Sequence, residues 1–174
     1  MTFLELARKR YSVRRFSDQP VKPEQISQIL AAASLAPTAH NLQPQKIYVL
    51  AGEDAIKKVR DITPMTYKAP LVFLICYDSE ISWKNTDDRC YECYDAGEMD
   101  ASIVATHMMM EAADLGLGSL WARAFDSKAI IEGFDLPANI VPVCLLSVGY
   151  PADNCRPAHL HDKRKNIGDI VEVL

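Results

Sequence analysis

The side chains best suited to chemistry in this sequence form a basic cluster near its start. The stretch Arg10-Tyr11-Ser12-Val13-Arg14-Arg15-Phe16 places three guanidinium groups and a serine hydroxyl close together. A guanidinium is a rigid fork of donors that matches the oxygens of a phosphoryl group, and a serine hydroxyl adds a short donor. A solvated, basic helix end is the alternative interpretation. The cluster alone therefore indicates an anion site without proving one.

A second stretch, Ala36-Pro37-Thr38-Ala39-His40-Asn41-Leu42-Gln43-Pro44, is a proline-bracketed loop dense in hydrogen-bonding side chains. Asparagine and glutamine can read the donor and acceptor edge of a heterocycle, although polar loops are common. The sequence has neither the dinucleotide-binding G-x-G-x-x-G pattern after a strand nor a P-loop, so a phosphate would have to be held by side chains. Residues 116–119, Gly-Leu-Gly-Ser, follow a helical pattern and predict a helix stop and turn instead of a phosphate loop.

Composition limits the classes of partner. The 174 residues are 49% apolar and carry a net charge of -4, which predicts one globular domain over residues 1–174. The net negative charge argues against binding to nucleic acids or anionic membranes. The apolar runs are too short to span a membrane. Without a signal-peptide core at the N-terminus, we expect a cytoplasmic protein.

The elements that must position these stretches can be read from capping residues and hydrophobic spacing. Thr2 and Glu5 predict a capping box that opens a helix ending near Lys9, and a second helix is predicted from Pro23 to before Pro37. Strands are predicted at 46–50, 70–77, 119–122 and 141–149, and helices at 54–61, 96–115 and 126–132. The 96–115 helix is predicted to be long, central and buried. The acidic 78–100 segment is predicted to be an exposed loop or lid. Because strands and helices do not alternate strictly, the pattern favours an α+β fold.

Taken together, these stretches resemble the FMN-dependent nitroreductase family. The resemblance rests on the basic cluster and the polar loop, and it extends to four further segments: 116–121 (Gly-Leu-Gly-Ser-Leu-Trp), 124–126 (Ala-Phe-Asp), 148–151 (Val-Gly-Tyr-Pro) and 164–171 (Arg-Lys-Asn-Ile-Gly-Asp-Ile-Val). It implies a nitroreductase-like three-layer fold, with a mainly antiparallel central sheet flanked by helices. It also implies a homodimer, with a C-terminal extension that reaches toward the partner and FMN sites at the subunit interface.

The activity implied by the resemblance is that of a flavin oxidoreductase. NADH or NADPH would deliver hydride to flavin N5 and leave, and a small oxidant such as a nitroaromatic or a quinone would take its place in a ping-pong scheme. The chemistry would belong to the flavin, so no side chain would act as a catalytic nucleophile.

The resemblance also implies a role for each site residue. Arg10, Ser12 and Arg164 would bind the FMN phosphate, Tyr11 would offer backbone contacts beside the ribityl chain, and Arg14 would face the pyrimidine edge and tune the flavin. A loop from the other subunit would approach the flavin through Thr38, Ala39, Asn41 and Gln43. The strand end Trp121, Ala122, Arg123 and Ala124 would run past the ring. Arg123 departs from the small or apolar residue common there; it either points away from the flavin or alters the charge preference for substrates.

The cysteines carry the main competing hypothesis. Cys90 and Cys93 form a C-x-x-C pair, and Cys155, His159 and His161 supply another thiol and two imidazoles, so a zinc site or a redox dithiol is conceivable. The second half lacks finger-type spacing, and we therefore predict no metal. A protein that binds FMN without turnover is the other alternative.

Overall fold

The computed structural model describes residues 1–91 and 93–174. Its helices are α1 (Phe3–Lys9), α2 (Pro23–Ser34), α3 (Glu53–Ile62), α4 (Gly97–Asp114) and α5 (Ser127–Gly133). Its strands are β1 (Gln45–Leu50), β2 (Leu71–Asp78), β3 (Lys84–Asn85), β4 (Tyr94–Asp95), β5 (Gly118–Ala122) and β6 (Ile140–Gly149). Short 3-10 turns occur at Ala39–Asn41, Pro64–Thr66 and Ile167–Asp169.

Four strands form an antiparallel sheet in the order β1-β2-β6-β5. The two central strands, β2 and β6, are buried along almost their whole length, as their apolar runs predicted. Their register changes where Ile75 faces Cys144 and the next residue, Cys76, faces Pro142. The irregularity accommodates a proline inside a central strand, which otherwise costs a ladder hydrogen bond.

Helices cover both faces of this sheet, which gives three layers. On one face, α2 and α4 pack against the sheet through a core that includes Ile29, Val104 and Met108. On the other face, α3 and α5 contribute Val59 and Ile130 to a second core. Each of these five side chains is fully buried. The two cores hold the strand ends and loops around the site in fixed positions.

Local sequence signals account for several element ends. The Thr2 hydroxyl accepts from the Glu5 amide, and the Thr2 amide donates to the Glu5 carboxylate at 2.7 Å, so the predicted capping box is present. Asp126 caps α5 by accepting from the amides of Lys128 and Ala129. At the start of α4, Gly97 is required because a Cβ there would overlap the ring of Tyr77.

The acidic segment 78–100 departs in part from the predicted exposed loop. Within it, β3 and β4 pair as a short antiparallel hairpin, and Lys84 forms an ion pair with Asp95 at 3.6 Å. Trp83 lies against the ring of His40, with centroids 5.2 Å apart. Throughout the described part of the chain, every helix is too short or too polar to cross a membrane.

Candidate functional site

The basic cluster lies in an extended segment that leaves α1 and runs along the sheet. Ser12 bridges Ser119 of β5, and Phe16 bridges Pro151 just beyond β6. Between them, the amide of Val13 donates to the carbonyl of Ser119 at 3.0 Å, and the Val13 side chain is fully buried. A Cβ at Gly118 would lie 2.5 Å from Val13, so the glycine allows this close approach. Because the side chain of Val13 points into the core, the side chains of Ser12 and Arg14 on either side of it point the opposite way.

Side chains alternate in direction along this extended segment, which places the predicted phosphate ligands Arg10 and Ser12 on the same side. Residues two apart on an extended chain point to the same side, so Arg10, Ser12 and Arg14 share one side. They line a pocket of about 260 Å³, and Arg164 from the C-terminal segment reaches the same pocket. We call it the Arg10 pocket; its lining is Arg10, Tyr11, Ser12, Arg14, Ala158, Leu160, His161 and Arg164.

The Arg10 pocket is strongly electropositive. Three of its lining residues are arginines and none is acidic. Within the described ranges, Arg10, Arg14 and Arg164 take part in no ion pair, so their charge is not neutralised by the protein. Such a set of donors suits a phosphoryl group, whose charge is about -1.5 to -2 at neutral pH.

Arg14 also borders a second pocket, which sequence reasoning missed. This pocket of about 390 Å³ is called the Arg60 pocket and is lined by Arg14, Arg60, Thr63, Pro64, Thr66, Tyr67 and Lys68. The guanidinium of Arg14 lies 5.9 Å from the centroid of the Tyr67 ring, within cation-π range. Tyr67 and Lys68 both adopt left-handed backbone conformations, with φ of 49° and 59°. Their residue types carry no signal for such a turn.

The polar loop does not line either of these pockets. Thr38 and Ala39 instead border an apolar cavity of about 330 Å³ beside Trp83 and Tyr94. The loop is strained, because His40, Asn41 and Gln43 all have positive φ. Two hydrogen bonds hold it: the Gln43 amide donates to the Thr38 hydroxyl, and the Ala39 amide donates to the carboxylate of Asp100 on α4, both at 3.0 Å.

The predicted strand end at 121–124 lies next to the Arg60 pocket. The buried hydroxyl of Thr63, which lines that pocket, donates to the carbonyl of Ala124 at 2.9 Å. Ala122 is buried, whereas Trp121 is 40% exposed. The Arg123 guanidinium lies 4.7 Å from the Phe125 ring and donates to the Ser127 hydroxyl, so this side chain turns toward α5.

Two of the residues offered for a zinc site, Cys155 and His161, lie beside Tyr11. Cys155 is buried; burial, and after it the neighbouring Cys155 thiol, raise the pKa of the Tyr11 hydroxyl. His161 packs against the Tyr11 ring, and its Nε2 lies 3.2 Å from the Arg8 carbonyl. In residues 1–91 and 93–174, no three His, Cys, Asp or Glu side chains form a group that could hold a metal ion.

Comparisons with known proteins agree with this fold. A family model described as the nitroreductase family matches residues 7–64 and 62–150. The crystal structure of a nitroreductase family protein from Clostridium difficile 630 superposes with a TM-score of 0.90 at 36% identity, covering 99% of this chain and 98% of that one. The predicted α+β fold of the nitroreductase type is thereby confirmed.

Sequence relatives carry oxidoreductase names. An Archaeoglobus fulgidus protein, provisionally named NADH dehydrogenase/NAD(P)H nitroreductase, is 31% identical over 157 residues, 86% of each chain. A Bacillus subtilis protein named FMN reductase [NAD(P)H] is 29% identical over 156 residues, which are 82% of this chain and 63% of that protein. The family match covers most of the sequence, and the fold and basic cluster agree with it: the chain belongs to the nitroreductase family.

Proposed function

We propose that this protein is an FMN-dependent oxidoreductase that transfers hydride from NADH or NADPH to a small oxidant in a ping-pong scheme. Family membership and the name of the Bacillus subtilis relative favour a flavin enzyme. The observation that carries the proposal is the Arg10 pocket, where Arg10, Ser12 and Arg164 converge from opposite ends of the chain.

The residues present fit flavin mononucleotide. The terminal phosphate of FMN needs cationic donors without competing carboxylates, and the Arg10 pocket supplies them. Arg10 and Arg164 would neutralise the negative charge of the phosphate, and the Ser12 hydroxyl would donate a hydrogen bond to a phosphate oxygen. Tyr11 would border the ribityl chain through its backbone. The fixed, extended backbone around Val13 keeps these donors in place before the ligand arrives, which limits the entropy lost on binding.

Bound FMN would supply the redox chemistry, accepting a hydride from the nucleotide and passing it to an oxidant such as a nitroaromatic or a quinone. The chain would supply orientation and electrostatics. Arg14 borders both pockets, where a fixed positive charge favours negative charge that develops nearby. The strand end from Trp121 to Ala124, held by Thr63, would present backbone groups to the flavin ring.

A second copy of the chain would complete the site. Thr38, Ala39, Asn41 and Gln43 border neither basic pocket of their own subunit, and we assign them to the flavin of the partner. Large apolar side chains that a partner could bury are exposed on α1, at the end of α2 and along the C-terminal segment: Phe3, Leu4, Leu35, Leu160, Ile167, Ile170, Val171 and Val173. We therefore propose a homodimer.

Anaerobic spectroscopy tests the reaction. Purified protein loaded with FMN should lose its flavin absorbance when NADH or NADPH is added, and a quinone or a nitroaromatic should restore it. Initial rates with both substrates varied should give the parallel double-reciprocal lines of a ping-pong scheme. Flavin that stays oxidised with both nucleotides would instead identify a non-catalytic FMN-binding protein. Sedimentation equilibrium tests the assembly, with a mass near twice 19.4 kDa expected.

A further inference from the structure

A histidine lines the Arg10 pocket beside the arginines and the serine. His161 belongs to the C-terminal segment, and its side chain is 15% exposed. The proposed phosphate ligands Arg10, Ser12 and Arg164 leave this imidazole without a role. Histidine is the side chain whose charge ordinarily changes between about pH 5 and pH 8, so a histidine beside a phosphate site can respond to the charge of the ligand.

A hydrogen bond at Nε2 determines which nitrogen of His161 carries the hydrogen. Nε2 lies 3.2 Å from the carbonyl oxygen of Arg8 in the last turn of α1, and a carbonyl oxygen only accepts. Nε2 must therefore carry a hydrogen both in the neutral ring and in the imidazolium ion. Among the described residues, Nδ1 has no hydrogen-bond partner. It can gain a proton without breaking the bond to Arg8.

The imidazole is held at the wall of the pocket by its neighbours. The ring of Tyr11 lies edge-on to it, with centroids 6.0 Å apart and planes at 68°. Tyr11 directly precedes Ser12, which bridges β5, and buried Val13. The backbone carbonyl of His161 also accepts from the guanidinium of Arg164. The ring thus has a defined position next to the proposed phosphate ligands, which limits the entropy lost when a ligand binds.

The surroundings of His161 give it no fixed counter-ion in the free protein. Arg10, Arg14 and Arg164, which line the same pocket, are all cations. In the described ranges, the only carboxylate within ion-pair distance of the ring is that of Asp162, 3.9 Å from Nε2. The Asp162 side chain is 97% exposed, so solvent and salt screen its attraction. A histidine without a fixed counter-ion is mainly neutral at about pH 7.5.

The other groups on the elements packed against the ring already carry their protons at this pH. Burial, and after it the Cys155 thiol, raise the pKa of the Tyr11 hydroxyl, which therefore stays protonated. Arginine, lysine and most thiols are also protonated. These groups are Arg8 and Lys9 on α1 and Cys155, Arg156 and Lys163 in the C-terminal segment. A bound phosphate of about -2 charge would therefore draw a proton to His161.

We propose that His161 is a further ligand of the FMN phosphate and takes up a proton from solvent as the phosphate binds. The inference rests on the proposed function, and it adds a residue and a proton to the binding step. The buffer gives up the proton, Nδ1 gains it, and no other bond is formed or broken covalently. The imidazolium would donate from Nδ1 to a phosphate oxygen in a charge-assisted hydrogen bond.

Calorimetric titration of the flavin-free protein with FMN measures the proton uptake. At about pH 7.5 the FMN phosphate is almost fully dianionic, because its second pKa is about 6, so proton uptake belongs to the protein. The titration is repeated in buffers of different ionisation enthalpy, and the dependence of the observed enthalpy on the buffer gives the number of protons. The test variant is His161→Gln, whose amide can still donate to the Arg8 carbonyl but cannot gain a charge. The matched control is His159→Gln, because His159 is exposed and does not line the Arg10 pocket.

The wild type and His159→Gln should each take up roughly half a proton per FMN, since a mainly neutral histidine becomes largely charged. His161→Gln should take up almost none and should bind FMN about threefold to tenfold more weakly. Raising the pH from about 7 to about 8.5 should weaken FMN binding in the wild type more than in His161→Gln, because binding consumes a proton only in the wild type. No proton uptake in the wild type, or equal uptake in the two variants, would overturn the proposal.

NMR of the wild-type protein with isotopically labelled histidine gives a readout that does not require the variant to bind FMN. The chain has four histidines, and the signal missing from free His161→Gln identifies His161. Its ring should be the neutral Nε2-H form in the free protein and an imidazolium with FMN. A neutral ring in the FMN complex would overturn the proposal.

A wild-type protein that takes up no FMN would count against the proposed function instead. Inorganic phosphate, added to the flavin-free protein, would then test His161 by the same NMR signal. Conversion of the ring to an imidazolium would support its role as a phosphate ligand, and an unchanged neutral ring would overturn it.

Discussion

The hydroxyl of Thr63 donates a 2.9 Å hydrogen bond to the carbonyl oxygen of Ala124, 61 positions further along the chain. Thr63 is only 2% exposed, and the same hydroxyl oxygen accepts the amide of Met65 at 3.2 Å. One side chain thus joins the turn that lines the Arg60 pocket to the end of the strand assigned to the flavin ring.

Replacing Thr63 with valine should destabilise the protein. The variant keeps the shape of the side chain and removes both hydrogen bonds, so the free energy of unfolding should fall by about 1 to 3 kcal/mol. Urea unfolding followed by circular dichroism measures it. Thr63→Ser retains the hydroxyl and is the control. A Thr63→Val protein as stable as wild type would show that this bond contributes nothing.

Removing Arg10 should weaken FMN binding. The Arg10→Ala variant loses a charged hydrogen-bond partner of the phosphate, which is typically worth about 1.5 to 3 kcal/mol, or roughly tenfold to a hundredfold in affinity. Arg8→Ala is the matched control, because Arg8 is an exposed arginine nearby whose side chain does not line the Arg10 pocket. Flavin fluorescence titration gives both affinities. Equal losses in the two variants would refute the assignment of Arg10 to the phosphate.

Asp100 should hold the strained polar loop. Its Oδ1 accepts the amide of Ala39 at 3.0 Å, and its side chain is buried at the start of α4. Asp100→Ala should lower the free energy of unfolding by about 1 to 3 kcal/mol, because the Ala39 amide loses its partner. It should also speed hydrogen exchange at Ala39, measured by NMR. Asp100→Asn keeps an acceptor oxygen and should lose less. Unchanged protection of Ala39 in Asp100→Ala would contradict this role.

Thiol reactivity should separate Cys76 and Cys144 from Cys90 and Cys93. Burial raises the pKa of both Cys76 and Cys144 to about 12, so these core thiols stay protonated and unreactive between about pH 7 and pH 9. Cys90 and Cys93 are exposed and should react with a maleimide in the native protein. Peptide mass mapping at several pH values distinguishes them, with urea-unfolded protein as the control. Labelling of Cys76 or Cys144 without unfolding would contradict the core placement.

Short-range signals were enough to predict much of the fold. Thr2 with Glu5 and Asp126 marked helix starts, because their side chains satisfy free backbone amides. The apolar runs at β2 and β6 marked strands buried on both faces. Arg10 and Arg164 were predicted to share one site through the family resemblance, and the structure places them around one pocket.

Other features depend on contacts between distant residues, which a single sequence does not reveal. The left-handed pair Tyr67 and Lys68 is set by the chain that must turn from Pro64 into β2, and neither residue type favours that conformation. The direction of Arg123 is set by Phe125 and Ser127. For the same reason, the Arg60 pocket was not predicted, since its lining residues meet only in the folded chain.

The central claim is that the Arg10 pocket receives the phosphate of FMN, and a comparison of FMN with riboflavin tests it most directly. The two ligands share the ring and the ribityl chain and differ only in the phosphate. Fluorescence titration of the flavin-free protein should show FMN binding at least about a hundredfold more tightly, because charged donors converge on the phosphate. Equal affinities for FMN and riboflavin would contradict the account.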